Sequence, residues 1–188
     1  MMLFIIVAVL YIGVVIFYAQ LIAPKNYSVK ENTINELGCQ AYENRSVMQW
    51  GYKGFGIIVI AGIIINRTTL LLDLQYTIPL FLYSVGMMMS GFFGSRPFES
   101  MVFYMVKESK LSNFFNQLAG YSIGILIAMK LIMAQGGFNR VLNLLMILFV
   151  LYTSIMSGRK DSNRGIYQRI LYLGTFLWLI YAYSGMMN

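Results

Sequence analysis

Apolar residues in this chain come in six long runs, near 2–22, 47–66, 77–94, 114–134, 139–157 and 169–187, separated by short polar connections. About 20 residues of α-helix, rising 1.5 Å each, cross a hydrocarbon core of roughly 30 Å, and a helix satisfies its own backbone groups there. The pattern predicts an all-α membrane protein: a six-transmembrane-helix bundle forming one domain over residues 1–188, with no room for a soluble domain. The first run has no basic flank before it and no good cleavage site before Pro24, so it is expected to remain as a helix.

Charge sharpens this picture. Only 11% of the residues are charged against 59% hydrophobic, where a soluble domain carries about 25% charged residues. Of the 14 Lys and Arg, ten fall in alternate connections: Lys25, Lys30 and Arg45 in the first, Arg96, Lys107 and Lys110 in the third, Arg159, Lys160, Arg164 and Arg169 in the fifth. Short loops rich in basic residues stay in the cytoplasm, which predicts a multi-pass protein of the cell membrane with both termini outside. A net charge of +7 spread over membrane-flanking loops, not gathered in one stripe, points to membrane lipid as partner and away from nucleic acid. One cysteine and no histidine exclude an internal disulfide, His-ligated metals and His general-base catalysis, and no cofactor is expected.

The first connection has the most local structure. Ser28-Val-Lys-Glu31 fits a capping box, Val29, Ile34 and Leu37 give a partial apolar face, and Gly38 suits the left-handed residue that ends a helix. A short interfacial helix is expected at 29–37, with Glu31, Asn32, Asn35 and Glu36 on its polar side. Cys39 should lie just beyond it, where an impermeant maleimide would report its side of the membrane. A second box, Ser46 to Gln49, is expected to start span two. In connection three, Phe98, Met101, Val102 and Met105 recur at helical spacing and predict a second interfacial helix.

Within the spans, Gly86, Ser90 and Gly94, and then Gly120 and Gly124, recur at four-residue spacing, a pattern that lets helices approach closely in lipid. Asn113, Gln117, Gly120 and Gly124 fall on one face, which should point inward because amides need partners there. Lys53, seven residues into span two, should snorkel to the surface, pair with the first connection or hold a lipid phosphate. Lys130, near the end of span four, is expected to snorkel outward.

Three segments together resemble a known family: Glu31-Asn-Thr-Ile-Asn-Glu-Leu-Gly38; Gly94-Ser-Arg-Pro-Phe-Glu99 running on to Lys110-Leu-Ser-Asn-Phe-Phe115; and Gly165-Ile-Tyr-Gln-Arg-Ile170 leading to Trp178. In order and spacing they look like the six-helix prokaryotic membrane proteins grouped as domain of unknown function 998. The resemblance covers nearly the whole chain and implies six helices with a polar motif region on one membrane face. It implies no reaction. Where that family commonly carries a His, this chain has Ser112.

The three segments belong to alternate connections, so Glu31, Glu36, Lys53, Arg96, Asn113, Gln117 and Arg169, with Glu108, are expected to converge at one mouth of the bundle. Mixed charges around an amphipathic cavity suit a lipid headgroup or another amphiphilic small molecule, bound without catalysis. The alternatives are an interfacial enzyme with Glu31 or Glu36 as acid/base and Arg96 or Arg169 holding an anion, and a small transporter.

Overall fold

The structure, a computed structural model, describes residues 1–67, 73–98, 103–159 and 163–184. Among these residues there are six α-helices and no strand: α1 Met2–Leu21, α2 Arg45–Ile65, α3 Leu74–Ser90, α4 Val106–Met133, α5 Gly137–Gly158 and α6 Arg164–Tyr183. A 3₁₀ helix, Ile34–Gly38, interrupts the first connection. Four of the helices, α1, α2, α4 and α5, are long and apolar enough to cross a membrane.

Each helix packs on the next, and α6 returns to α1, so the six close into a ring. The buried side chains form one cluster, with Ile5, Ile12, Phe55, Val59, Leu80, Leu126, Ile127 and Leu179 essentially inaccessible. The outward faces are as apolar as the core. On α1, Leu3, Leu10, Val14 and Phe17 are each more than 60% exposed, a surface that water would not tolerate and lipid would.

Close helix approach occurs where glycine removes the Cβ. A Cβ at Gly56 of α2 would lie 2.5 Å from the Ser84 carbonyl of α3, and one at Gly86 of α3 would lie 2.8 Å from the Ala119 backbone nitrogen of α4. Gly120 and Gly124 behave differently: a Cβ at either would meet nothing within 4 Å. The expected tight packing through these two residues is therefore not what they do, although Gly86 serves that purpose. Polar links join α5 to α6 where lipid offers no competing partners: the Trp178 indole donates to Asn143 Oδ1 at 3.0 Å and the Tyr181 hydroxyl to Asn139 Oδ1 at 3.0 Å.

Several local expectations are corrected. In place of a helix at 29–37 there are turns and then the 3₁₀ helix, which includes Gly38; the left-handed residue is Ala41, at φ 66°. The Ser28 box forms only in part, since Glu31 N–H reaches Ser28 Oγ at 3.4 Å while the Ser28 N–H is taken by Asn32 Oδ1 at 2.8 Å. The carboxylate that caps is Glu36, accepting the Thr33 N–H at 2.7 Å. Helix α2 starts at Arg45 after Asn44, so Ser46 lies inside it. Of the expected interfacial helix, 99–102 lie outside the described residues, and Phe98 and 103–105 are not helical. Helix α4 begins at Val106, eight residues before the predicted 114, and the predicted end of span six, 185–187, also lies outside the described residues. Cys39 is only 1% exposed, so its labelling reports opening of the fold and not sidedness.

Candidate functional site

The three connections that share one end of the ring are knitted together by polar side chains. From the first, Gln40 donates to the carbonyls of Gly94 at 3.1 Å and Met105 at 3.0 Å and accepts the Met105 N–H at 2.7 Å, while its own N–H meets the Ser95 carbonyl at 3.0 Å. Ser95 Oγ donates to the Asn35 carbonyl at 2.9 Å, and Glu108 at the start of α4 accepts the Gly94 N–H at 2.7 Å. A buried carboxamide with both ends engaged fixes two loops at once.

The start of α6 grips the first connection from the other side. Arg164 pairs with Glu36 at 2.6 Å and donates to the Glu31 carbonyl at 2.8 Å. Arg169 donates through Nη1 to the carbonyls of Val29, Asn32 and Gly165, each within 2.9 Å, through Nη2 to the Tyr27 hydroxyl at 2.7 Å and through Nε to Gln20 at 3.2 Å. Burial pushes the Tyr27 phenol above its ordinary value of 10.0, against the pull of Arg169, so it stays protonated and donates to the Thr33 carbonyl at 3.1 Å. Gly165 makes this contact possible, its N–H reaching the Lys30 carbonyl at 3.0 Å.

Beside this clasp lies a cavity of about 910 Å³ between α3, α4, α5 and α6. Ligand pockets commonly span about 300–1,000 Å³. Its lining runs along α4 from Asn113 to Ala128, about 22 Å at 1.5 Å per residue. The end next to the connections is polar, with Asn35, Asn113, Asn116, Gln117, Ser157 and Gln168; the far end is apolar, with Ile123, Ile127, Ala128, Ile147 and Val150. Tyr121, Ile125 and Leu151 line it and are also 49–71% exposed, so it opens sideways between α4 and α5. Gly120 and Gly124 widen it along this opening. No Lys, Arg, Asp or Glu lines it among the described residues.

The expected charged mouth is thus divided. Glu36 and Arg169 belong to the clasp and are committed to holding the first connection. Glu31 is exposed and contributes its carbonyl. Lys53 sits over the Trp50 ring at 4.2 Å and the Phe92 ring at 5.0 Å; among the described residues the ion pair is Arg164 with Glu36, so Lys53 does not bridge to the first connection. Arg96 lies apart, exposed over the Tyr104 ring at 5.7 Å. Lys130 stacks over Tyr76 at 4.3 Å. Asn113 and Gln117 do share a face with Gly120 and Gly124, and that face lines the cavity. Sequence reasoning did not single out Gln168, although a carboxamide inside an apolar run needs a partner and is a readable signal. Among the described residues, no group of three or more Cys, Asp and Glu side chains comes together to hold a metal.

The three segments on which the family resemblance rests are the ones that Gln40, Ser95, Arg164 and Arg169 join. Compared with known proteins, the chain matches no family model, no curated protein and no solved structure.

Proposed function

We propose that this chain crosses the cell membrane six times, with both termini outside, and binds an amphiphilic lipid in the cavity between α3, α4, α5 and α6. The single observation that carries the binding reading is the graded lining of that cavity: carboxamides and hydroxyls at the connection end, aliphatic side chains at the other, and an opening toward the surrounding lipid. One leaflet is about 15 Å of hydrocarbon, half of a core of roughly 30 Å. A cavity running about 22 Å along a helix takes a head and most of an extended tail. The charged residues first expected at the mouth support the site indirectly, by holding the first connection against α6. The resemblance to the six-helix family fits the same architecture and adds no reaction.

Filling the cavity tests the reading. Gly124→Leu places its side chain in open space, since a Cβ there meets nothing within 4 Å, and replacing a helical glycine by a good helix former removes a helix penalty of about 0.8–1.0 kcal/mol. The variant should be at least as stable as the parent. Native mass spectrometry after extraction in mild detergent should show lipid retained on the parent and at least tenfold less on Gly124→Leu. Equal retention by both would sink the reading.

The orientation rests on the ten basic residues of connections one, three and five. With Cys39 replaced by Ala, a cysteine substituted at the exposed Lys30 should react with an impermeant maleimide only after cells are permeabilised. Labelling of intact cells would invert the topology.

A further inference from the structure

The polar end of the cavity holds one side chain of fixed direction, Gln168, which offers a donor and has already used its acceptor. Gln168 is 91% buried and lines the cavity. Its Oε1 accepts the Ile34 backbone N–H at 2.5 Å. A backbone N–H can only donate, so the amide cannot be turned the other way, and its Nε2 group has no partner among the described residues. Asn35, on the neighbouring wall, has its amide against the Tyr52 hydroxyl and, at 3.3 Å, the Tyr172 hydroxyl; a phenol can donate or accept, so these partners serve either orientation of that amide. Thr175, also in the lining, spends its hydroxyl hydrogen on the Leu171 carbonyl at 2.7 Å, so toward the cavity its oxygen can only accept, as from a ligand hydroxyl. One oriented carboxamide NH₂, with no ionised side chain along the described wall, sets the chemistry of a complementary head. A buried NH₂ left without an acceptor is costly, and an ion without a counter-charge in this medium costs far more.

Building on the lipid-binding reading above, we infer that the cavity selects a lipid whose head is uncharged and presents a carbonyl oxygen to Gln168, as an acylglycerol ester does. The ester carbonyl accepts from the Gln168 amide. The glycerol hydroxyls reach the more exposed Asn113, Asn116 and Gln117, whose amides both donate and accept, and the chain follows Ile123 and Ile127 toward Ile147. A cationic head would bring donors to the Gln168 donor and a charge to a wall with no carboxylate among the described residues. An anionic head would meet donors but no neutralising charge.

Three probes with the same chain separate these cases: 1-oleoylglycerol, oleylamine and oleyl phosphate, competed against radiolabelled 1-oleoylglycerol on delipidated protein. The parent should bind 1-oleoylglycerol at least tenfold more tightly than either ion, because each ion brings an unpaired charge to an uncharged wall. Gln168→Glu keeps an oxygen for the Ile34 N–H and removes the NH₂, so it should lose roughly tenfold in 1-oleoylglycerol affinity and narrow the gap to oleylamine, while Gly124→Leu loses all three. Oleyl phosphate binding as tightly as the ester, or Gln168→Glu leaving the preference unchanged, would overturn the inference and leave the lipid-binding reading standing. If no probe distinguishes the parent from Gly124→Leu, both fail together.

Discussion

A single methyl added at Gly165 is expected to open the clasp that holds the first connection. A Cβ there would lie 2.6 Å from the Val29 carbonyl oxygen and 2.9 Å from that of Lys30, and closer still to the Asn32 carbonyl. All three obstacles are backbone, so no rotamer change relieves them and the connection must move away from α6. That movement breaks the Gly165 to Lys30 hydrogen bond and pulls the Val29 and Asn32 carbonyls from Arg169. Overpacking against backbone together with lost polar contacts puts Gly165→Ala at about 3 kcal/mol of destabilisation. Cys39, buried at the end of the same connection, supplies the readout. Where labelling requires local opening, about 3 kcal/mol corresponds to roughly a hundredfold faster reaction with maleimide. Gly120→Ala is the matched control, because its Cβ meets nothing within 4 Å and its labelling rate should stay at that of the parent.

These two glycines show where the sequence is legible and where it is not. Gly165 lies in the polar fifth connection and Gly120 in the fourth apolar run, yet neither setting tells what faces the missing Cβ; only the partner across the gap decides whether it permits contact or enlarges a space. The helices themselves are readable, because lipid demands a run of apolar residues with no regard to what packs on it. Their ends are less so. Helix α4 carries Lys107, Glu108 and Lys110 in its first turns, where the chain is helical but no longer apolar, and a hydropathy boundary falls inside the helix. In the first connection two stretches fit the same capping template, Ser28 to Glu31 and Thr33 to Glu36. The second prevails because Asn32 Oδ1 has already taken the Ser28 N–H that the Glu31 carboxylate would need.

Half of the candidate site is legible. The face of Asn113, Gln117, Gly120 and Gly124 was recognisable from its spacing, since unpartnered amides on an apolar helix have to point inward. The charged residues are harder to read, because proximity along alternate connections says that charges share an end of the bundle, and nothing about what they do there. Arg169 and Glu36 spend their hydrogen-bonding capacity on the chain's own backbone and on Arg164. The oriented donor facing the cavity comes instead from a neutral carboxamide, Gln168, whose direction is set by the Ile34 N–H on its oxygen, a property no one-dimensional pattern contains.

Arg169→Lys should be nearly as damaging as Gly165→Ala, for the opposite reason. The substitution keeps the charge and removes the fork. The guanidinium joins five acceptors: Gln20 on α1, the Tyr27 hydroxyl, the carbonyls of Val29 and Asn32, and Gly165 on its own helix. An ammonium carries three hydrogens on one atom and cannot span α1 and the connection together. Hydrogen bonds to a charged group contribute about 1.5–3 kcal/mol each when buried, but these are partly exposed and not additive, so a total near 3 kcal/mol is expected. Faster Cys39 labelling and new tryptic cleavage after Lys30 should appear together. An anion-binding role for Arg169 predicts something else: loss of ligand with Cys39 still protected, since Lys can hold an anion as a point charge. Protected Cys39 in Arg169→Lys would therefore return Arg169 to the binding site, whereas exposed Cys39 that is restored by no added lipid establishes it as the residue that fastens the first connection to α6.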